Sequence, residues 1–247
     1  MNIERFMCNV PIYIISLHDS YDRKSKLLEE FKGFTNIEFI DAIDGRNENE
    51  FNNNYKVNYS SDYNFTKSTI AVICSHIKSI YTAYHNNLEK VCIFEDDVHT
   101  DLIKCANFTL LDICNLNNNW EIIQLFYVNR LEKHTNDFFK NGLRLIRRNG
   151  QYLGTCYIIN KKGMEKILSH VVTTNGTNYF NIIPKIINPE DIIFNYILSY
   201  VINRQVFYYW CDIPTFDKYI YNDEHYSKVD SQNVCFIAKN KLLNIYA

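Results

Sequence analysis

KVCIFEDD, residues 90–97, runs four apolar residues straight into three consecutive carboxylates. A short continuous apolar run with β-branched and aromatic members reads as a strand covered on both faces, as the strands of a parallel sheet are. Glu95, Asp96 and Asp97 repel one another. At the carboxyl end of a parallel strand they stand where α/β sheets bind ligands. In an extended chain Glu95 and Asp97 point to the same side, so both reach one hard cation. Mn²⁺ or Mg²⁺ held by a few carboxylates and completed by phosphate oxygens is the usual arrangement around a nucleotide diphosphate. An acidic, solvated turn is the other reading of the same three residues.

Upstream, PIYIISL (11–17) reads as a buried strand. Asp19 or Ser20 can cap a helix running to about Phe31, with Leu27, Leu28 and Phe31 on one face. Ile37–Ile43 is a second strand, closed by the turn dipeptide Asp44-Gly45. This βαβ opening implies a parallel sheet with a right-handed crossover. Residues 47–67 are polar and Asn-rich and are expected to form a long loop, of the kind that is often a binding lid or a disordered insert. From about Thr66 to Asn86, Ile70, Ile73, Ile77, Ile80, Tyr81 and Tyr84 recur at helical spacing.

Downstream, a helix is expected around Leu102–Cys114 and a strand at Trp120–Phe126. A further strand at 151–160 runs into a helix Lys162–Val171, with Asn160 as its cap. Asn188-Pro189-Glu190 combines an Asn cap, a first-turn Pro and a first-turn acid, which predicts a helix to about Val201. A late strand is expected over 205–210. With no internal repeat and no Gly/Ser-rich linker, the 247 residues read as one α/β domain. Its core spans about residues 10–212, and residues 213–247 show no clear period.

The formal charge of −2 implies no pull toward nucleic acid or an anionic membrane. None of the eight cysteines forms a Cys-x-x-Cys pair, so they read as small buried hydrophobes in a reducing compartment. The N-terminal residues lack a signal-peptide layout, and Ile192–Ile202 is too short to span a bilayer. A cytoplasmic protein without a transmembrane segment is expected.

Two other phosphate sites are excluded, because neither GxxxxGK[ST] nor GxGxxG occurs. The first strand ends Ser16-Leu17-His18-Asp19 with a single acid, where a phosphatase using an aspartyl nucleophile would place paired acids. Arg23, at the start of the first helix, offers a permanent fork of donors suited to phosphate. A surface ion pair with Asp22, Glu29 or Glu30 is its plainer role. Ser75 and His76 lie on the long helix, where a histidine among apolar neighbours is more often a packed, hydrogen-bonded residue.

These pieces share an order. IISLHDSYDRKSKL (14–27), FIDAIDG (39–45), AVICSHIKSIYTAY (71–84), VCIFEDDV (91–98), WEIIQLF (120–126), GTCYIINKKGMEKIL (154–168) and PEDIIFNYIL (189–198) follow one another over about residues 10–200. Together they resemble glycosyltransferase family 25, the lipopolysaccharide and collagen galactosyltransferase-like group. His18-Asp19-Ser20 and Met164 depart from the family pattern, and residues 47–67 and 213–247 match none of it.

The resemblance implies a GT-A-like fold, a central mostly parallel sheet with helices on both faces. It implies transfer of a hexose, galactose or glucose, from a UDP-sugar to a hydroxyl on a glycan or protein acceptor, with inversion. Glu95, Asp96 and Asp97 would hold Mn²⁺ or Mg²⁺, Asp97 foremost, with His225 completing the shell. Arg23 would add a second positive contact. Ser16, Leu17, Asp44 and Gly45 would line the nucleotide, and Ser75, His76 and Gly154 would shape the donor side. Asp191, or secondly Glu190, would be the acceptor-side base, although both also suit a helix's first turn as dipole partners. Two rival functions remain at this point. One is a non-catalytic glycan- or partner-binding module on a transferase fold. The other is a Mg²⁺-dependent phosphohydrolase or nucleotidyltransferase.

Overall fold

The computed structural model describes residues 1–126, 142–147, 156–174, 178–186, 191–203 and 207–209. Helix α1 (Ile3–Met7) leads into strand β1 (Ile12–Ser16), helix α2 (Tyr21–Glu30) and strand β2 (Ile37–Asp41). Helix α3 (Glu48–Asn54) and strand β3 (Lys56–Ser61) precede the long helix α4 (Lys67–His85) and strand β4 (Lys90–Glu95). Then come β5 (Val98–His99), a 3₁₀ turn (Asp101–Cys105), α5 (Leu110–Asn115), β6 (Ile122–Gln124) and β7 (Leu145–Arg147). The order continues with β8 (Cys156–Asn160), α6 (Lys161–Ser169), β9 (Val171–Thr174), β10 (Tyr179–Ile186), α7 (Asp191–Phe194), β11 (Ser199–Ile202) and β12 (Tyr208–Tyr209).

The central sheet has seven strands in the order β2-β1-β4-β8-β6-β11-β7. It is mostly parallel: β2, β1, β4, β6 and β11 share one direction, and β8 and β7 oppose them. The parallel β2-β1-β4 half is the βαβ opening expected from the sequence. A second sheet, β3-β10-β9, and the β5-β12 pair flank it.

The two-residue period of the strands divides their side chains between two cores. Ile12, Ile14, Cys92, Phe94, Cys156 and Ile158 pack with α1, α2 and α5 on one face. Tyr13, Ile15, Val91, Ile93, Tyr157 and Ile159 pack with α4, α6 and α7 on the other. Burial on both faces explains why β1 and β4 read as continuous apolar runs rather than alternating ones.

Helix α4 is capped by Thr66, whose Oγ1 accepts from the Thr69 amide at 3.1 Å. Ile70, Ile73, Ile77 and Ile80 are all buried along it. Helix α6 likewise starts at Asn160, whose Oδ1 accepts from the Gly163 amide at 2.9 Å.

Several sequence expectations are corrected. Residues 47–67 are not a loop, since they hold α3 and β3. The helix expected over Leu102–Cys114 is two pieces, broken at residues 106–109. Leu28 is 55% exposed, while Leu27 and Phe31 carry the buried face of α2 alone. Of the helix expected from Asn188 to Val201, residues 188–190 lie outside the described residues, Asp191–Phe194 form the short α7, and Ser199–Ile202 enters the sheet as β11. Val171, placed at the end of a helix, opens β9. Residues 151–155, 204–206 and 210 of the expected strands lie outside the described residues.

Candidate active site

The ends of β1, β2 and β4 form one row. In register Ser16 faces Asp41, and Ile15 faces Glu95. The acids therefore stand at the carboxyl edge of three adjacent parallel strands, where open α/β sheets bind ligands. Regular pairing of β4 ends at Glu95, and Asp96-Asp97 form a turn into β5. The alternation that would carry Glu95 and Asp97 to one side thus stops before Asp97.

Each of the first two acids meets a different counter-group. Asp96 Oδ1 accepts from Arg23 Nη1 at 2.8 Å, and its Oδ2 accepts from the Ser16 hydroxyl at 2.7 Å. The pair is well covered, with the Arg23 and Asp96 side chains 18% and 10% exposed. Glu95 Oε1 lies 3.1 Å from His76 Nε2, and the other ring nitrogen of His76 lies 3.1 Å from the Tyr157 hydroxyl. His76 and Tyr157 are buried, whereas about a third of the Glu95 side chain is exposed. Burial, and secondarily the Glu95 charge, push the Tyr157 phenol well above its ordinary pKa, so it keeps its proton. Asp97 is buried in the turn.

Ser75 serves the backbone. Its hydroxyl accepts from the Ile43 amide at 2.8 Å and donates to the Ala71 carbonyl at 2.7 Å, so α4 is tied to the segment after β2. Gly45 lies in that segment. A Cβ there would sit 2.5 Å from the Lys67 carbonyl oxygen, so the first turn of α4 can approach only a glycine. Arg46 joins the two edge loops, donating to Asp44 and, at 2.9 Å, to Asp19 Oδ2. The Arg46 fork holds the Asp44 carboxyl below its ordinary pKa against the opposing effect of burial. Lys78 Nζ donates to the Asp41 carbonyl at 2.7 Å, and burial draws its ammonium below the ordinary value, against the pull of Asp41.

The structure thus brings Ser16, Leu17, Arg23, Asp44, Gly45, Ser75, His76, Glu95, Asp96 and Asp97 to one edge region. Gly154, Glu190 and His225 lie outside the described residues. The backbone of Asp191 opens α7, whose Ile192, Ile193 and Phe194 are buried in the same core as Tyr157. The Phe194 ring meets Tyr157 edge-on at 5.6 Å.

Tyr157 is the residue that sequence reasoning left without a role. Its signal was a tyrosine inside the apolar strand CYII, since a buried phenol needs a hydrogen-bond partner.

A divalent ion sharing its shell with a diphosphate needs only one or two protein carboxylates. Glu95 and Asp97 supply that number of hard oxygen donors, while Asp96 is engaged by Arg23 and Ser16. Among the described residues no three His, Cys, Asp or Glu side chains group so as to hold a metal ion. Hard carboxylate oxygens suit such an ion by their chemistry.

The model of a family described as glycosyltransferase family 25 (LPS biosynthesis protein) matches residues 9–182, well over half of the chain. The chain belongs to glycosyltransferase family 25. The match runs from Asn9, shortly before β1, into β10, so it includes Arg23, Ser75, His76, Glu95, Asp96, Asp97 and Tyr157. Glu190, Asp191 and His225 lie beyond it. No curated protein matches the chain. Membership identifies a glycosyltransferase, with a sugar donor and an acceptor, on a mixed α/β fold consistent with the GT-A-like class. No helix among the described residues is long and apolar enough to cross a membrane.

Proposed function

We propose that this family 25 member moves a hexose, galactose or glucose, from a UDP-sugar to a hydroxyl of a glycan or protein acceptor, inverting the anomeric centre. The observation that carries this reading is the Glu95-Asp96-Asp97 run at the shared edge of β1, β2 and β4, clamped by Arg23 and His76. Glu95 and Asp97 would hold Mn²⁺ or Mg²⁺. When bound, the ion offsets the negative charge that grows on departing UDP.

The chain's own groups do the remaining work. Asp96, fixed by Arg23 and Ser16, holds the acidic turn in place. The loops after β1 and β2, cross-linked through Arg46, wall the nucleotide side. Inversion needs a base that takes the acceptor hydroxyl's proton as the new bond forms. Asp191 is assigned that role, with Glu190 second. Support for Asp191 is the anchoring of α7 against Tyr157 on the His76 side of the sheet.

The test is UDP release by purified protein from a panel of UDP-sugars with Mn²⁺, beside Asp97→Asn. Mn²⁺-dependent release that Asp97→Asn abolishes supports the reading. Absence of both turnover and Mn²⁺-dependent UDP binding supports a non-catalytic module. Release of phosphate or pyrophosphate in place of UDP supports a phosphohydrolase or nucleotidyltransferase. A thermal-shift screen of nucleotide sugars identifies the donor, because the right one stabilises the fold by mass action.

A further inference from the structure

Tyr157, His76 and Glu95 form a chain from the interior of the sheet to its acidic edge. The Tyr157 hydroxyl is 3.1 Å from His76 Nδ1, and His76 Nε2 is 3.1 Å from Glu95 Oε1. Tyr157 is completely buried on β8, the strand paired with β4, and His76 is 2% exposed on α4. The rings of Tyr157 and His76 also pack at 5.7 Å, and Phe194 closes the far side of Tyr157 at 5.6 Å. The imidazole thus packs on the Tyr157 ring, which is itself backed by Phe194.

The direction of the bonds follows from the chemistry of the ends. An ionised carboxylate only accepts, so the nitrogen facing Glu95 carries a proton. With a neutral imidazole the phenol, which retains its own proton, donates to Nδ1, and His76 is the Nε2–H tautomer. Every donor in the chain then points outward, toward Glu95. Capture of Oε1 fixes the plane of that carboxylate at the point where β4 ends.

We propose that Tyr157 and His76 are positioning residues that hold the Glu95 carboxylate in the orientation required by the donor's divalent ion. This rests on the reading of Glu95 as an ion ligand given above. Partners that orient a ligand from behind typically govern affinity 10–100-fold. Neither residue touches the ion or substrate in this account.

The test uses the full chain and Mn²⁺ titrated in the presence of UDP, read by the electron paramagnetic resonance of free Mn²⁺. Tyr157→Phe and His76→Leu should each weaken Mn²⁺ binding by about 10–100-fold. His76→Gln, whose amide can still donate toward Glu95, should recover most of the loss. Thermal unfolding of each variant verifies that it is folded. Should Tyr157→Phe fail to fold, the ¹⁵N resonances of His76 in the metal-free wild type decide the matter, because an Nδ1–H tautomer overturns the proposal.

Wild-type binding of Mn²⁺ that Tyr157→Phe and His76→Leu leave unchanged overturns the positioning role alone. If the wild type binds no Mn²⁺ with UDP, the ion-ligand reading fails, and the positioning role fails with it. Equal losses in His76→Gln and His76→Leu would show that any change at this position acts by packing, which also overturns it.

Discussion

The Arg23–Asp96 pair decides whether the acidic turn is held by a specific charge contact, and a double-mutant cycle measures it. At 2.8 Å the bare attraction is about 6 kcal/mol at an effective dielectric constant of roughly 20. Both side chains are more than four-fifths covered, so desolvation removes most of that gain. What survives should resemble a hydrogen bond to a charged group, about 1.5–3 kcal/mol. Arg23→Met keeps the apolar stem and removes the fork, and Asp96→Asn keeps an acceptor for Ser16 and removes the charge. Urea unfolding of the wild type, both single variants and the double variant should give a coupling in that range. Single effects that add within about 0.5 kcal/mol would refute the reasoning. Repeating the cycle with UDP and Mn²⁺ asks whether Arg23 stays on Asp96. Loss of coupling under those conditions would mean that Arg23 turns to the phosphate, the role its position on α2 suggested from sequence.

Gly45→Ala should cost about 1–3 kcal/mol, because a Cβ would press on the Lys67 carbonyl oxygen and the Ser68 Cα, which are backbone atoms. For a chain of this size that lowers the thermal midpoint by roughly 2–12 °C, and an unchanged midpoint would show that α4 yields freely. Ser75→Ala strands the buried Ile43 amide and should cost about 1–3 kcal/mol by urea unfolding. Burial alone would raise the Glu30 carboxyl, but bonds from His99 and Thr100 outweigh it and hold it below its ordinary value of 4.5. A depressed folded pKa means that this stabilisation is complete above pH 4.5 and is lost as pH falls through the folded value. Glu30→Gln should therefore flatten the stability–pH curve below pH 4.5. Glu121, almost fully buried, follows the same sign: Lys166 at 2.6 Å and the Leu198 amide offset its burial, so Glu121→Gln should also remove acid sensitivity.

The elements that the sequence made legible are those whose apolar residues sit in unbroken local patterns. β1 and β4 show continuous runs because both faces are covered, and α4 shows an isoleucine at every turn with a threonine cap. Residues 47–67 hid their structure for the opposite reason. Phe51 is the one buried residue of α3, and β3 only half-buries alternate side chains against β10, more than a hundred residues downstream. Such a pairing leaves no local period to read. The helix expected after Asn188 was cut short by tertiary demand. Val201 and Ile202 are wanted beside β6 and β7, and a favourable helix start does not outweigh their burial in the sheet. Leu28 misled because Leu27 and Phe31, four apart, already fill the stripe that α2 presents to its core.

The acids at the edge were legible because a strand end and three charges are adjacent in sequence. Their partners were not, since the contacts join residues 73, 19 and 81 positions apart. Those partners come from opposite layers. Arg23 rises from α2, whose Leu27 lies in one core, while His76 and Tyr157 belong to the layer of α4, which fills the other. The acidic edge is therefore gripped from both faces of the sheet at once. Three like charges in succession would otherwise spread apart in the absence of a counter-ion, and a spread turn would have to be reordered at the moment of binding. Gripping Asp96 from one side and Glu95 from the other places that ordering cost in folding instead. Under the proposed function the carboxylates would then meet the donor's diphosphate and its ion already arranged, and the energy of both cores, not that of the loop itself, maintains the arrangement.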